Sequence, residues 1–589
     1  MQTPSLAIED TNRIAGLTGA PSPPLRWPRL KLIGLVLVLF SPSLFGEFFV
    51  DDYRNLRLLR IAAEQGALRP RLYEFAGGAQ RNSELRRSGR APWWLSDELR
   101  FNYFRPLTEC LIGLEYRWFG ERPIGYRLVG LGLYLAGVMA VWRLFHEWLA
   151  DQRVARWATL AFAVAASNAV PVVFIAAQCD LLAMVLTVAA ILWAGRYVRS
   201  GAISSAMFAA LLFGGAVLAK EVSVAACLLP LCAALAATRR DAAPIGDDFS
   251  SRPIWRRAGF ITLCLGLESL AVIAIHAIMG FGSNSSMLLD PIHDPLGYLA
   301  NMPVRVVLLL GAWLFTTNPA WFDMYGWLGM FGTGFAIQSG VAIVILLVLL
   351  LRRHRRDRAV MAFALWPIPF LPLLACTNPD NRVMMLPTIG LSALAGVWIA
   401  GRTPPRRLPM LMLVLGPAGC CLGTGVMMGM FEHMAGGYIR KSAAAVEPAA
   451  RGGDCLFFLN SHAQFDVLWS QDRADYVLGR DAPRVAYLSH VREVEPQVLA
   501  PNRLRLRAVS EPFYTTFIGR MGLVRGEGAP SLGRRFDAGE FVAAISEITE
   551  RQVTAIDFEF KDRLDSGRYR FFKLSPKGDV EPWGPGRSG

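Results

Sequence analysis

Long apolar stretches recur along this chain and constrain its fold more than any other feature. An α-helix needs about 20 apolar residues to cross roughly 30 Å of hydrocarbon. Stretches of about this length lie near residues 30–50, 124–149, 155–176, 178–198, 202–219, 222–238, 258–279, 333–351, 359–375, 383–400 and 408–430. Only 18% of the residues are charged, against about 25% in soluble domains. The sequence therefore predicts an α-helical polytopic membrane protein with about 11–13 transmembrane helices.

The loops between these stretches carry their arginines on alternate connections. If the N-terminus is cytoplasmic, the cytoplasmic loops are 151–154, 196–200, 239–257, 352–358 and 401–407. Nearly all of these short loops contain Arg, as the positive-inside rule predicts for cytoplasmic loops. We therefore expect residues 1–28 to be a disordered cytoplasmic tail. The C-terminal region is then expected on the outer side of a membrane, which we take to be a bacterial inner membrane.

The segment 303–330 breaks this alternation. Its apolar part, 304–315, is short, and a single crossing would move the C-terminal region to the cytoplasmic side. We interpret the segment as a re-entrant hairpin that returns to the outer face, while two short crossings would preserve the same orientation. Such backbone is tolerated at membrane depth only where protein surrounds it.

Two large polar pieces accompany the membrane domain, which we place at 29–430. The first is the outer loop 51–123, with amphipathic helices. The second is 431–575, where alternating residues predict strands at CLFFLN, RVAYLSH, RLRLRAV, VTAIDFEF and RYRFFKL. The stretch GEFVAAISEITE, 539–550, is predicted to be an amphipathic helix. We therefore expect a soluble α+β domain on the outer side, followed by a tail at 576–589.

The formal charge of +14 comes mostly from Arg. A basic balance is typical of nucleic-acid-binding proteins, but in a multispanning chain loop arginines set the topology instead. We therefore expect a lipid bilayer and no nucleic acid as partner. The nine cysteines lie mostly in apolar stretches and show neither zinc-ligand spacing nor a disulfide framework.

Two adjacent carboxylates, Asp51 and Asp52, follow directly on the first apolar stretch. A carboxylate at the outer end of a span is a functional-site hypothesis by default. Because adjacent carboxylates repel, one of them can act as a base while the other orients it or holds a cation. The alternative is that the pair marks only the end of a helix at the water interface.

Further motifs follow the acidic pair in a fixed order. They are FRPLT at 104–108, WFG-x-x-P-x-GYRLVGL at 118–131, GGAVLAKEVSVAACLLP at 214–230 and TNPDNRVMMLPTIGL at 377–391. The order resembles the GT-C superfamily of polytopic glycosyltransferases, with protein O-mannosyltransferases and the membrane part of TPR-containing O-mannosyltransferases as the nearest relatives. The chain departs from these relatives because it has no TPR period, and it has no WWDYG-like sequence.

The resemblance implies transfer of a sugar from a polyprenyl-phosphate-linked donor to an acceptor on the outer side, with inversion. It implies that Asp51 or Asp52 is the base and that Arg105, Lys220 and Arg382 bind the donor phosphate. An Arg grips phosphate in a bidentate manner. For Lys220, a side chain that snorkels and pairs with its neighbour is an equal alternative.

Several residues are expected to support this site without a defined step. They are Tyr53, Tyr103, Glu109, Glu221 and Asn381. The sequence leaves the role of a divalent metal open, with His293 and Asp294 in a Pro-rich outer loop as weak candidate ligands. It also leaves open the sugar and whether the acceptor is a protein or a glycan.

Other classes of protein share the multispanning pattern. A flippase or polymerase for lipid-linked saccharides would also have many spans, but it would not need an acidic pair at the first outer boundary. A transporter would show inverted repeats, which this sequence lacks. A non-catalytic multipass scaffold for envelope assembly is the remaining alternative.

Overall fold

The structure is a computed structural model. It describes residues 29–67, 69–238, 252–315, 327–377, 379–401, 407–445, 454–462, 464–479, 481–526, 528–575 and 579–585. The tail predicted at 1–28 lies outside the described residues, as do 316–326 in the middle of the predicted re-entrant segment. The chain divides into a helical body and a C-terminal part rich in strands.

Seventeen helices, counted in the described residues, make up the body and its outer loops. They are α1 Arg29–Phe40, α2 Asp51–Glu64, α3 Ala79–Arg87, α4 Pro106–Phe119, α5 Pro123–Trp148, α6 Gln152–Ala163, α7 Ala169–Val173, α8 Gln178–Ser200, α9 Ile203–Ala219, α10 Leu229–Ala237, α11 Arg252–Ile278, α12 Pro295–Phe315, α13 Trp327–His354, α14 Arg358–Leu365, α15 Leu371–Cys376, α16 Met385–Ala400 and α17 Arg407–Ala444. Short 3-10 turns join several of them, including Glu221–Leu228 before α10.

Seven helical segments of the described chain are long and apolar enough to span a membrane. They are Pro123–Trp148, Ile175–Ser200, Arg252–Ile278, Pro295–Trp313, Gly332–His354, Arg358–Cys376 and Arg382–Ala400. The pair α6 and α7, bent by 47°, adds an eighth if it forms one span. This architecture confirms the prediction of a polytopic helical membrane protein.

Among the described residues, fewer segments reach full spanning length than the sequence pattern predicts. The stretch near 30–50 forms only the 12-residue α1, which gives way to a 3-10 turn containing Pro42. The stretches near 202–219 and 222–238 form shorter apolar helices. Proline within an apolar run ends or bends a helix, so hydropathy alone overstates helix length.

In the region 303–330, the first helix is longer than the interpretation as a re-entrant hairpin predicts. Helix α12 begins at Pro295, earlier than the apolar run, and its segment Pro295–Trp313 alone has spanning length. It packs very closely on α13, because a Cβ atom at Gly311 would lie 1.8 Å from the carbonyl oxygen of Ala336. Close contact of helix backbones through glycine is typical of helix pairs in membranes.

The described residues of the C-terminal domain form nine strands and two short helices. The strands are β4 Cys455–Phe458, β5 Arg484–Tyr487, β6 Val494–Ala500, β7 Arg503–Ala508, β8 Arg535–Asp537, β9 Phe541–Thr549, β10 Gln552–Phe560, β11 Tyr569–Leu574 and β12 Val580–Trp583, and the helices are α18 Ser470–Leu478 and α19 Phe517–Met521. One sheet has the order β6-β7-β10-β9-β8 and the other the order β12-β11-β4-β5. The predicted soluble α+β domain is thus confirmed.

The prediction of a helix at 539–550 is wrong. This stretch contains strand β9, which pairs antiparallel with β10 through a tight turn at Glu550 and Arg551. Its side chains alternate, with Phe541 and Ile545 buried in the domain core. Pairing along a whole neighbouring strand outweighs a helical pattern of this length.

The tail predicted at 576–589 also contains structure. Val580–Trp583 is strand β12, which pairs antiparallel with β11 at the edge of the second sheet. Trp583 packs edge-to-face on Phe571, with ring centroids 5.7 Å apart. Aromatic contact across the strand pair gives this short segment a fixed position that its Pro- and Gly-rich composition hides.

The outer loop and the C-terminal domain lie at the same end of the helical body. A small sheet of β1 Glu74–Gly77, β2 Arg100–Asn102 and β3 Gly282–Ser283 joins the loop 51–123 to the segment after α11. The indole nitrogen of Trp93 donates to the carbonyl oxygen of Leu488 in the C-terminal domain, at 3.0 Å.

Arginine-rich connections lie at other helix ends and contact one another. Arg199 pairs with Glu147 at 3.0 Å, and Arg257 donates to the carbonyl oxygen of Arg199 at 2.9 Å. Arg358 donates to the carbonyl oxygen of Thr238 at 3.2 Å. These helix ends are where the charge pattern predicts the cytoplasmic loops.

Candidate active site

The two predicted carboxylates occupy different environments at the start of α2. Asp52 is buried, and both its oxygens accept backbone hydrogen bonds at 2.9 Å, one from Phe49 and one from Ala176. Burial raises the pKa of Asp52 to about 8, against the opposing effects of these hydrogen bonds and of Arg127. Asp52 therefore ties the turn before α2 to the turn before α8, and it has no oxygen free for a substrate.

Asp51 is only partly buried and faces the C-terminal domain. Its Oδ1 accepts a hydrogen bond from Nε1 of Trp469 at 2.8 Å, and the described residues form no hydrogen bond to its Oδ2. Burial raises the pKa of Asp51, while the Trp469 hydrogen bond and the charges of Arg382 and Arg54 oppose the rise. Asp51 is thus the member of the pair with a free oxygen and neighbouring cations.

Arg105 is fixed at the start of α4, where Pro106 begins the helix. It forms a bidentate ion pair with Glu221, with contacts of 2.9 and 2.5 Å. Its guanidinium lies 4.8 Å from the ring centroid of Tyr73 and 4.6 Å from that of Tyr103. Two aromatic rings and a carboxylate therefore hold this cation in one orientation.

Lys220 ends helix α9 in an extended conformation, so its side chain and that of Glu221 take different directions. Its Nζ lies 2.5 Å from Oδ1 of Asp180, near the start of α8. The Lys side chain is 11% exposed. The alternative of a snorkelling Lys that pairs with its neighbour is not what the structure shows, since the partner of Glu221 is Arg105.

Arg382 lies in the turn that leads into α16. Its partner is Asp380, whose oxygens contact the Arg382 backbone at 3.0 Å and its guanidinium at 2.6 Å. The guanidinium also lies 5.8 Å from the ring of Phe174. Because its charge acts on Asp51, Arg382 connects the candidate base with the other cations.

The site as a whole holds three cations and four carboxylates, all buried or partly buried. The cations Arg105, Lys220 and Arg382 each have one carboxylate partner, namely Glu221, Asp180 and Asp380. Asp51 is the further acid, and its hydrogen bond comes from an uncharged donor. Charges removed from water require such partners, so the cations are held in place before any substrate arrives.

The supporting residues separate into two groups. Tyr103 belongs to the site, since Glu221 and burial raise its pKa to about 12 beside Arg105. Tyr53 instead donates to Glu432 at 2.9 Å, and Glu109 pairs with Arg69.

Asn381 begins the turn that carries Arg382. Its side chain lies outside the described residues.

The metal candidates His293 and Asp294 lie apart from this site. His293 is exposed and contacts Asp290 at 2.6 Å, and Asp290 also pairs with Arg525. Asp294 accepts a hydrogen bond from the backbone of Gly297 at 2.9 Å, near the start of α12. The described part of the chain contains no group of three or more His, Cys, Asp or Glu residues arranged to hold a metal.

Sequence reasoning missed three residues of this site: Asp180, Asp380 and, as a partner of Asp51, Trp469. Asp180 is an acid within an apolar helix, and that signal alone marks a functional candidate in a membrane protein. Asp380 lies inside the quoted motif TNPDNR. Trp469 is 418 residues from Asp51 in the sequence, and no local pattern predicts that contact.

A small cleft lies between the outer loop and the C-terminal domain. Trp93, Trp94 and Arg484 are among its lining residues. Arg484 donates to the carbonyl oxygen of Ala538 at 2.6 Å. The cleft carries none of the charged residues of the candidate site.

The chain shows only limited similarity to known proteins. No protein-family profile matches the chain, and no curated protein matches it. Among solved structures, ArnT from Cupriavidus metallidurans bound to undecaprenyl phosphate shares 14% identity at a TM-score of 0.40, over 77% of this chain and 89% of that one. The oligosaccharyltransferase of Archaeoglobus fulgidus in the apo form shares 12% identity at a TM-score of 0.43, over 79% and 65% of the two chains.

The arabinosyltransferase EmbB from Mycobacterium smegmatis shares 12% identity at a TM-score of 0.28, over 97% of this chain and 61% of that one. Each of the three is thus a distant similarity. What this chain does is therefore interpreted from its own residues, above all from Asp51 and the cations around it.

Proposed function

We propose that this chain is a membrane glycosyltransferase of the GT-C type. It transfers a sugar from a polyprenyl-phosphate donor to an acceptor on the outer side of a bacterial inner membrane. The observation that carries the proposal is the arrangement around Asp51, a carboxylate that accepts a hydrogen bond from Trp469 on Oδ1 and none from the described residues on Oδ2. The charge of Arg382 acts on this carboxylate. Arg105 and Lys220 extend the same set of charges. The order of motifs along the chain supports the same function.

Donor binding follows from the ion pairs. The phosphate of the donor is an anion that competes with Asp180, Glu221 and Asp380 for the three cations. Arg105 and Arg382 present planar guanidinium groups that suit phosphate oxygens, and Lys220 supplies a compact charge. The lipid tail then lies among the apolar helices, and the sugar reaches toward Asp51.

The reaction is a direct displacement with inversion. Asp51 Oδ2 accepts the proton of the acceptor hydroxyl, and the acceptor oxygen forms a bond to the anomeric carbon of the sugar. The bond between that carbon and the phosphate oxygen breaks, and its electron pair stays on the phosphate. The cations that hold the phosphate stabilise the charge that develops there.

Asp51 is proposed as the base in preference to Asp52. Both oxygens of Asp52 already accept backbone hydrogen bonds, whereas the described residues form no hydrogen bond to Oδ2 of Asp51. Its role is to fix the start of α2 and thereby the position of Asp51. Tyr103 and Glu221 are proposed to orient Arg105.

The orientation in the membrane follows from the charge pattern. The Arg-rich connections around Arg199, Arg257 and Arg358 are proposed to face the cytoplasm. The outer loop and the C-terminal domain then face the periplasm, together with Asp51. The acceptor, a protein or a glycan, therefore approaches from that side.

The test uses membranes from cells that express the full chain, together with a radiolabelled polyprenyl-phosphate mannose. We expect wild-type membranes to transfer label to protein or glycan. Loss of a general base costs roughly 10²–10⁴-fold, so Asp51→Asn should abolish most transfer. The matched control is Glu84→Gln, an exposed acid in the same outer loop.

Three outcomes contradict the proposal. Full transfer by Asp51→Asn would remove the assigned base. No transfer by the wild type from mannose or from other polyprenyl-phosphate hexoses would favour a flippase, a polymerase or a scaffold. Loss in Asp52→Asn with unchanged Asp51→Asn would reverse the roles of the two acids, provided that both variants accumulate in membranes.

A further inference from the structure

The hydrogen bond between Trp469 and Asp51 joins two parts of the molecule. Asp51 begins helix α2 of the outer loop, whereas Trp469 belongs to the C-terminal domain and directly precedes helix α18. The indole Nε1 donates to Oδ1 at 2.8 Å. The carboxylate that we assign as base is therefore held by a residue of the soluble domain.

The backbone of Trp469 adopts an unusual conformation for a large residue. Its φ of 53° and ψ of 31° lie in the left-handed region, which costs an L-residue roughly 1–2 kcal/mol. Such strain persists only where the surroundings determine the conformation, and it is often found at functional sites. The conformation directs the indole toward Asp51 and starts α18 at Ser470.

The ring of Trp469 packs in a cluster with Phe75 and Arg54. Its centroid lies 6.2 Å from that of Phe75, and the guanidinium of Arg54 lies 5.2 Å from it. The residue is 6% exposed. A rigid, buried donor of this kind fixes the rotamer of the carboxylate that it contacts.

Neighbouring residues of α18 keep the domain in this position. Arg473 forms a buried ion pair with Glu432 of α17 at 3.2 Å. Asp472 pairs with Arg57 of α2 at 2.8 Å and also with Arg90. The helix that follows Trp469 is thus attached both to the membrane body and to the helix that carries Asp51.

We propose that Trp469 is a positioning residue, through which the C-terminal domain completes the catalytic site by orienting Asp51. The proposal rests on the glycosyltransferase function given above. With Oδ1 occupied by the indole, Oδ2 is directed to the acceptor hydroxyl. A chain that lacks this contact keeps its donor site but has a misoriented base.

The acid limb of the pH–rate profile reports this contact. A hydrogen bond to the charged carboxylate favours ionisation, and Trp469 lowers the pKa of Asp51 against the effect of burial. The other charged groups that act on Asp51 are Arg382 and Arg54, and the adjacent acid is Asp52. Arg54 also lies 5.2 Å from the ring centroid of Trp469, so a substitution that keeps an aromatic ring is needed to isolate the effect of the N–H group.

Two substitutions distinguish the effect of the indole N–H group from the effect of the aromatic ring. Trp469→Phe keeps an aromatic ring and loses the N–H group, while Trp469→Gln keeps an N–H donor the same number of bonds from Cα and loses the ring. We expect Trp469→Phe to lower kcat about tenfold and to move the acid limb about one pH unit upward. In Trp469→Gln the limb should stay near its wild-type position.

The matched control is Trp93→Phe. Trp93 also donates its indole N–H across the interface between outer loop and domain, but to the carbonyl oxygen of Leu488. The same loss of one hydrogen bond should leave the pH profile unchanged. KM for the polyprenyl-phosphate donor should stay the same in all three variants, because the cations are untouched.

A Trp469→Phe enzyme with the wild-type pH profile would overturn the inference. So would a limb that moves in Trp469→Gln and not in Trp469→Phe, because that result would assign the effect to ring packing. If Trp469→Phe does not accumulate, Trp469→Leu, which also lacks the N–H group, takes its place in the same comparison. Absence of transfer by the wild type would instead contradict the proposed function itself.

Discussion

Asp51 and Asp52 are adjacent in the sequence, but their carboxylates lie in different surroundings. Asp52 faces two backbone N–H groups, while Asp51 faces Trp469 and has an oxygen without a hydrogen bond from the described residues. The sequence predicts that the pair is special because of its position at the end of an apolar stretch. It does not distinguish the two acids, because Ala176, which binds Asp52, and Trp469, which binds Asp51, each lie more than 100 residues away.

His490 gives a residue-scale prediction on pH. It is buried in the C-terminal domain, where its Nε2 accepts a hydrogen bond from the backbone of Tyr514 at 3.3 Å. Burial lowers its pKa to about 4, so the folded state binds its proton less readily than the unfolded state. Stability is therefore complete above about pH 6.5 and decreases as the pH falls from there toward 4.

The pKa of His490 differs between the folded and the unfolded state, and this difference corresponds to a loss of about 3 kcal/mol of stability at low pH. We expect the thermal unfolding midpoint of the purified protein to be lower at pH 5 than at pH 7. His490→Gln, which does not titrate, should show a smaller decrease over the same range. An equal decrease in both proteins would assign the acid sensitivity to other groups.

At the scale of elements, the hairpin of β9 and β10 shows what a sequence pattern hides. Glu550 and Arg551 form its turn with φ values of 51° and 64°. Two-residue turns of this kind favour Asn-Gly, whose residues adopt positive φ at low cost. Neither residue of this turn is typical of a hairpin. This is one reason why the sequence pattern of 539–550 predicts a helix.

The turn therefore offers a stabilising substitution. Glu550→Asn combined with Arg551→Gly should relieve strain of about 1 kcal/mol per residue and raise the unfolding midpoint of the domain by a few degrees. Glu495→Asn, at an exposed position of β6 without such a φ value, serves as the control. An unchanged or lower midpoint in the double variant would contradict the turn geometry.

Other elements were predictable because their signals are local. The strands at 455–458, 484–487 and 569–574 follow from short apolar runs, and the spans around α5, α8 and α11 follow from hydropathy. The shortened α1 was not predictable from hydropathy, because the effect of Pro42 depends on what packs around it. Helix ends at Arg105 and Lys220 were recognisable, but their carboxylate partners come from other helices.

For the whole molecule, the two faces of the helical body give a prediction on topology. Cysteine introduced at Gln497, exposed in the C-terminal domain, should react with a membrane-impermeant maleimide in intact spheroplasts. Cysteine at Ser200, exposed beside the Arg-rich connections, should react only after the membrane is opened. Labelling controls need the unsubstituted protein, because Cys110 is exposed in the outer loop.

The opposite pattern of labelling would place Asp51 on the cytoplasmic side. That result would contradict the proposed orientation while leaving the geometry of the site intact. Equal labelling of both positions in intact spheroplasts would show that the preparation is leaky, and the absence of label on an endogenous cytoplasmic protein provides the check.

The buried pair between Arg473 and Glu432 has a consequence for substrate traffic. Lifting the C-terminal domain off the membrane body would break this buried ion pair and leave Glu432 with Tyr53 and the backbone of Val50 as its hydrogen-bond partners. We therefore expect acceptors to enter and leave while the domain stays seated. If the C-terminal domain does not move, the space between it and the membrane body sets an upper limit on the size of the acceptor.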